Sequence, residues 1–240
     1  MKALFLLYWA KSARNQSENQ AMQIEQLYLG KLTHWEAKNQ NTGIFKQPVD
    51  CAYVSKEGLV GDVQADRRFH GGPEKALHQF AQASYDKIVE GYPELNGIAV
   101  KGTIGENFSC ADMTDENVFI GDIYQYGTAV IQVAQPRNPC WKINYRYKVE
   151  LLSNYIAEHA ISGWYYRVLQ EGKVAVGDTI VLLERPNHLI SNAGLLHLMN
   201  QQQPALLALE AARDCAGLNT DWIKRIDSRI KHLTHALNKQ

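Results

Sequence analysis

From Met22 to about Leu183 the chain runs in short β-type segments separated by turn residues, and this punctuation limits the fold more than any other feature. The segments Gln23–Leu29, Gly43–Phe45, Asp50–Val54, Ala76–Phe80, Asn117–Ile120, Asp122–Tyr126, Ala129–Ala134, Trp164–Leu169 and Thr179–Leu183 are rich in β-branched and aromatic residues at strand length, which predicts strands. Gly121-Asp122, Tyr126-Gly127-Thr128 and Gly177-Asp178 supply turns between them. A parallel α/β sheet needs a helix between successive strands. Short strands with few intervening helices predict a barrel or sandwich instead.

Two helices are predicted inside this region. Ala83–Gly91 is stopped by Gly91 and Pro93, and Val149–Ala160 repeats Leu151, Leu152, Tyr155 and Ile156 at helical spacing. After Arg185-Pro186 the character changes, and Leu189–Leu198, Pro204–Cys215 and Trp222–Leu237 read as three consecutive helices. The expected layout is an N-terminal extension over residues 1–21, a mainly β domain with helices over 22–185, and a small C-terminal three-helix appendage over 186–240. The last helix, capped by Thr220 or Asp221, sets Lys224, Arg225, Arg229, Lys231 and Lys239 against Asp227 alone. A solvated face accounts for that charge; a docking surface for an acidic partner or nucleic acid is the second reading.

At 240 residues the chain is long enough to bury a full core. Lys plus Arg equals Asp plus Glu at 25 each, so no global field points to nucleic acid or a membrane, and electrostatic specificity has to be local. Cys51, Cys110, Cys140 and Cys215 are too few and too dispersed for a disulfide scaffold, and none sits in a C-x-x-C pair. The apolar run Ala3–Ala10 is about half the length of a membrane span. It reads as an N-terminal helix or extension, with a short signal peptide as the alternative, and the expected location is the cytoplasm.

Cys140 is the leading chemical candidate. It follows Pro136 and Pro139, with the cations Arg137 three residues before and Lys142 two after, which would favour a thiolate if their side chains turn toward it, and the prolines hold the loop out of the preceding strand. Cys51, Cys110 and Cys215 read as small buried hydrophobes. The run Arg67-Arg68-Phe69-His70-Gly71-Gly72-Pro73-Glu74-Lys75 suits an anion: the amides of His70, Gly71 and Gly72 can converge, and Arg67, Arg68, His70 and Lys75 can supply charged hydrogen bonds. It lacks the spacing of nucleotide-binding glycine loops. No G-x-S-x-G turn and no metal-spaced histidine pair occurs in the β region.

Six motifs in order, IFKQPV at 44–49, GLVGDVQADRRFHGGPEKAL at 58–77, GENFS at 105–109, NVFIGD at 117–122, QPRNPC at 135–140 and GDTIVLL at 177–183, resemble the MOSC domain family, specifically its bacterial 6-N-hydroxylaminopurine resistance (YiiM-type) branch. The resemblance covers residues 22–183, and that branch also carries a C-terminal helical trio. It implies a MOSC-type β-barrel that binds the molybdenum cofactor (molybdopterin), with Cys140 as the sulfur ligand to molybdenum. It further implies cofactor contacts from Lys46, Arg67, Arg68, His70, Gly71, Gly72, Lys75, Asn107 and Arg137, and reduction of N-hydroxylated bases to amines. Tyr145, Tyr147 or Trp141 could stack on a planar base, core packing being the alternative for each. With no dinucleotide, flavin or iron–sulfur motif, electrons would come from a separate reductase. The competing readings are a sulfur carrier with a persulfide on Cys140 and, resting only on basic residues, a nucleic-acid module.

Overall fold

The computed structural model describes residues 22–36, 39–65 and 71–237. Thirteen strands are formed among the described residues: β1 Gln26–Gly30, β2 Thr33–Trp35, β3 Gln40–Thr42, β4 Lys46–Val49, β5 Cys51–Ser55, β6 Gly58–Leu59, β7 Leu77–Gln79, β8 Phe108–Ser109, β9 Ile123–Tyr126, β10 Ala129–Pro136, β11 Trp164–Gln170, β12 Gly172–Ala175 and β13 Ile180–Glu184. Six α-helices accompany them among the described residues: α1 Gln82–Gly91, α2 Lys142–Tyr147, α3 Leu152–Glu158, α4 Asn192–Asn200, α5 Leu206–Arg213 and α6 Thr220–Leu237. Eight strands make one sheet in the order β13-β9-β10-β11-β7-β8-β1-β4; β12-β5-β6 and β2-β3 form small sheets beside it. Among the described residues the strands pair antiparallel except β7 with β8. The large sheet curls, because Gln23 bridges to Thr179 and Ile180 N donates to Met22 O at 2.7 Å, joining the approach to β1 to the approach to β13. The mainly β expectation holds, as a curled half-barrel followed by three C-terminal helices.

Alternation explains the inner face. Ala129, Ile131 and Val133 of β10 are buried at every second position, and a register shift between Val133 and Gln135 then buries Ala134, Gln135 and Pro136 in succession. The strand therefore runs through Pro136, which pairs with Trp164, rather than stopping at Ala134 before the prolines. Phe108, Tyr126, Trp164 and Tyr166 fill the curl, and Leu195, Leu209, Trp222 and Ile226 of the C-terminal helices belong to the same cluster. Each such side chain contributes about 1.5–3 kcal/mol by leaving water. A second cluster, Phe80, Tyr85, Ile88, Ile143, Leu152 and Ile156, seats α1, α2 and α3 on the other side.

Several local expectations fail for identifiable reasons. Gly43–Phe45 is not a strand: a Cβ on Gly43 would stand 2.0 Å from Val63 O, so the chain passes too close to its neighbour for a regular ladder, and β3 and β4 flank it. β4 is hidden in the sequence by Pro48, tolerated because β4 is an edge strand. Asn117–Ile120 is buried at Val118 and Ile120 but turned, since Thr114 N donates to Asn117 Oδ1 and Asn117 N to Thr114 Oγ1. The helix expected over Val149–Ala160 begins only at Leu152, because Leu151 has φ 62°; Lys148, at φ 55°, ends the unforeseen α2. Cys51 is exposed, since only Val54 of β5 faces the core. Asn219, rather than Thr220 or Asp221, caps α6: its Oδ1 accepts from Asp221 N at 2.7 Å. The N-terminal run Ala3–Ala10 and Lys239 lie outside the described residues.

Asp115 ties three elements together. Its carboxylate accepts from Ser84 Oγ of α1 (2.9 Å), from Gly163 N before β11 (2.9 Å) and from Asn192 Nδ2 of α4 (2.7 Å). Burial pushes its carboxyl from 3.8 up to about 6, with those donors pulling the other way. The folded chain thus keeps a proton that the unfolded chain has lost between these values. The stabilisation is complete below about pH 4 and disappears as pH rises through 6, a change of about 3 kcal/mol. Asp115→Asn keeps an acceptor for Gly163 and Asn192 and can donate to Ser84, so urea midpoints compared with the parent from pH 4 to 7 should show this component gone. An identical pH dependence in both proteins would refute the assignment.

Candidate active site

One cleft gathers most of the residues singled out above. β4 supplies Lys46, the Pro73–Lys75 turn supplies Lys75, β7 supplies His78, the chain entering β8 supplies Ile104, Gly105 and Asn107, the end of β10 leads to Arg137 and Cys140, and β11 supplies Tyr165. Cys140 is half-buried in this wall, and its carbonyl accepts from Ile143 N at 2.9 Å, so the residue stands where the loop after β10 turns into α2.

Charge in the cleft is held rather than loose. Lys46 Nζ lies 2.8 Å from Asp62 Oδ2, with the two side chains only 7 % and 2 % exposed. Asp62 also accepts from Gly30 N at 2.5 Å and Asn107 Nδ2 at 2.9 Å, so all its bonding is internal. Asn107 completes the brace, accepting from His78 N at 3.0 Å and reaching Tyr28 O at 3.3 Å. Burial pushes the Lys46 ammonium down, against the opposing pull of Asp62. Glu106, fully buried, accepts from Tyr85 Oη (2.6 Å), Gly102 N (2.5 Å) and Ile104 N (3.2 Å) and thereby shapes the loop whose Ile104 carbonyl accepts from Arg137 Nη2 at 3.2 Å.

The cations beside the cysteine also bond to backbone. Arg137 reaches Ile104 O, and Lys142 Nζ reaches Asn41 O at 3.4 Å, so neither hydrogen bond goes to the sulfur. Arg137 is 5 % exposed, and its Nη1 has no hydrogen-bond partner among the described residues. An unmet guanidinium donor at a cleft wall is costly, and an anionic oxygen satisfies it. With one soft thiol and the ammoniums of Lys46 and Lys75 in the same wall, the donor set fits a phosphate-bearing, metal-carrying cofactor.

Gly72 takes φ 87°, a conformation that demands glycine, and its carbonyl accepts from Lys75 N at 2.9 Å; Gly71 and Gly72 shape the turn without lining the cleft. Arg67, Arg68 and His70 lie outside the described residues. Beside Cys140 stands an aromatic rim in edge contact: Trp141 with Tyr145 (5.4 Å), Tyr145 with Trp35 (6.2 Å) and Trp35 with Phe45 (5.8 Å). Trp141 and Tyr145 are exposed, whereas Tyr147 is buried and bonded to Thr103. The sequence reading missed Asp62, Glu106, His78 and Tyr165. The first two stand inside the quoted motifs GLVGDV and GENFS, but nothing in their spacing shows that they face inward.

The MOSC domain family matches residues 66–181. "Protein YiiM" of Escherichia coli (strain K12) is 31 % identical over 207 residues, covering 85 % of this chain and 90 % of that protein. The chain belongs to the MOSC domain family, in its YiiM-type branch. The crystal structure of YiiM from Geobacillus stearothermophilus superposes with a TM-score of 0.72 at 30 % identity, covering 87 % of this chain and 99 % of that one. A protein named "Reductase" from Gibberella moniliformis (strain M3125 / FGSC 7600) is 42 % identical over 159 residues, which is 65 % of this chain and 27 % of that protein. These relatives point to a reductase-type function associated with the molybdenum cofactor. Within this MOSC protein the matched segment contains Asn107, Arg137 and Cys140, while Lys46 and Asp62 come from the chain before it. No helix among the described residues is long and apolar enough to cross a membrane.

Proposed function

We propose that the chain binds the molybdenum cofactor in this cleft and reduces N-hydroxylated compounds such as 6-N-hydroxylaminopurine to their amines, with electrons from a separate reductase. The observation that carries this reading is the half-buried Cys140 in one wall with the unmet Nη1 of Arg137. Among the described residues no group of three or more His, Cys, Asp or Glu is placed to hold a metal ion. A dithiolene-bearing pterin brings most of its metal's ligands with it, which suits a cleft wall where Cys140 is the soft donor.

When bound, the cofactor supplies the two-electron chemistry of N–O reduction. The protein supplies position and charge. Arg137 and Lys75, both in the cleft's lining, would meet its anionic oxygens, Lys46 is held in place by Asp62 and Asn107, and Glu106 fixes the Ile104 carbonyl that orients Arg137. Arg67, Arg68 and His70 join this set through the family resemblance.

Metal and pterin analysis of protein made in hosts with and without molybdopterin synthesis tests the proposal. Equimolar molybdenum and pterin from the first host and neither from the second is the expected result. A persulfide mass on Cys140 with no pterin from either host would replace this reading with the sulfur carrier. The exposed Trp141 and Tyr145 give a planar base a stacking face beside the cysteine. Trp141→Ala should accordingly raise KM for a purine substrate by an amount corresponding to about 1–3 kcal/mol, with kcat little changed. An unaltered KM would assign the rim to packing.

A further inference from the structure

The C-terminal helices carry a second surface feature. A groove beside α6 is lined by Met199, Lys224, Arg225, Ser228, Arg229 and His232, with no carboxylate in its lining. The apolar side of α6, with Trp222 and Ile226, is consumed by the core, so this basic side is what the helix presents outward. The groove is built, too. Arg229 donates to Gln202 O at 3.0 Å and also to Gln201 O, and the Arg225 guanidinium lies 4.3 Å from the Trp222 ring centroid. From there Arg225 Nη1 donates to Asn138 Oδ1 at 3.1 Å. Asn138 is two residues before Cys140, in the same loop.

We propose that this groove docks an acidic face of the electron-donating protein, and that Arg225 joins the docked surface to the Cys140 loop through Asn138. The inference rests on the reductase reading, which requires electrons to arrive beside Cys140. With a formal net charge of zero the whole molecule attracts neither sign, so a local groove of one sign is what can steer an oppositely charged partner. Nucleic acid is the poorer occupant: Trp222 is buried beneath Arg225, and the groove's lining holds no Phe, Tyr or Trp to stack a base, with His232 its one ring.

The test uses the full-length, cofactor-loaded chain and an acidic flavodoxin as probe. Calorimetric titration should show saturable binding at low salt that weakens at least about tenfold between roughly 50 and 200 mM salt. The double variant Lys224→Glu/Ser228→Glu cancels the groove's positive charge, setting two carboxylates against Arg225 and Arg229, while giving up only the loose 3.8 Å pair of Lys224 with Asp221 and the Ser228 bond to Lys224 O. It should weaken flavodoxin binding by at least about tenfold and leave turnover with reduced methyl viologen unchanged. Absence of saturable binding at low salt, or equal binding by the double variant, overturns the proposal. So does a single-stranded oligonucleotide that outcompetes flavodoxin for the groove. Failure of turnover with methyl viologen in the parent protein would count against the reductase reading, while the titration still decides the docking face.

Discussion

Cys140→Ala is expected to fold normally and to lose both molybdenum and reductase activity. The residue is half-buried and the change deletes one small group, so the loss of stability should be about 1 kcal/mol or less. The functional loss is far larger. Replacing residues that merely support a metal ligand costs about 10–100-fold, so removing the ligand itself should exceed about 100-fold in both retained metal and turnover. Cys140→Ser should recover little, because a hard hydroxyl replaces a soft thiolate. Metal content per chain, circular dichroism and turnover measured on the same preparations check all of this. Full molybdenum retention in the alanine variant would remove Cys140 from the metal's coordination.

Asp62→Ala is expected to be the most destabilising single change in the cleft. It strands the Lys46 ammonium in a site where that side chain is only 7 % exposed, and it frees Gly30 N and one bond of Asn107. Breaking a buried pair by deleting one partner costs about 3–5 kcal/mol. If the unpaired charge is the cause, Lys46→Met in the Asp62→Ala background should restore part of the loss, leaving the share due to Gly30 and Asn107. Urea unfolding of the two single variants and the double variant measures the coupling. A double variant no more stable than Asp62→Ala would place the cost in the backbone contact instead.

Cys140 was legible in the sequence because its chemistry is local: one cysteine preceded by two prolines, with cations three residues before and two after. The structure puts it in a cleft wall, but the bonds of Arg137 and Lys142 run to Ile104 O and Asn41 O, partners at distances of 33 and 101 residues. Asp62 was illegible for the same reason. Its partners Gly30, Lys46 and Asn107 lie 32, 16 and 45 residues away. Periodicity also failed where one backbone angle mattered: Leu151 belongs to the right apolar series for a helix, yet its positive φ puts it outside the helix, and it is exposed. Cys51 looked like core filler on a strand, but the face a strand buries depends on which sheet it joins, and β5 pairs with β12 and β6 in the small one.

By itself the amino-acid order determined the run of short strands, the three helices at the C-terminal end and the motifs that place the chain in its family, since each depends on residues within a few positions of one another. The tertiary structure decided which charged groups share the cleft. The sheet order sets β1 between β8 and β4, which brings the approach to Asn107 alongside Lys46 and closes both around Asp62. Such neighbours are chosen by strand pairing across long stretches of chain, and strand pairing is settled only when the whole sheet buries its inner face.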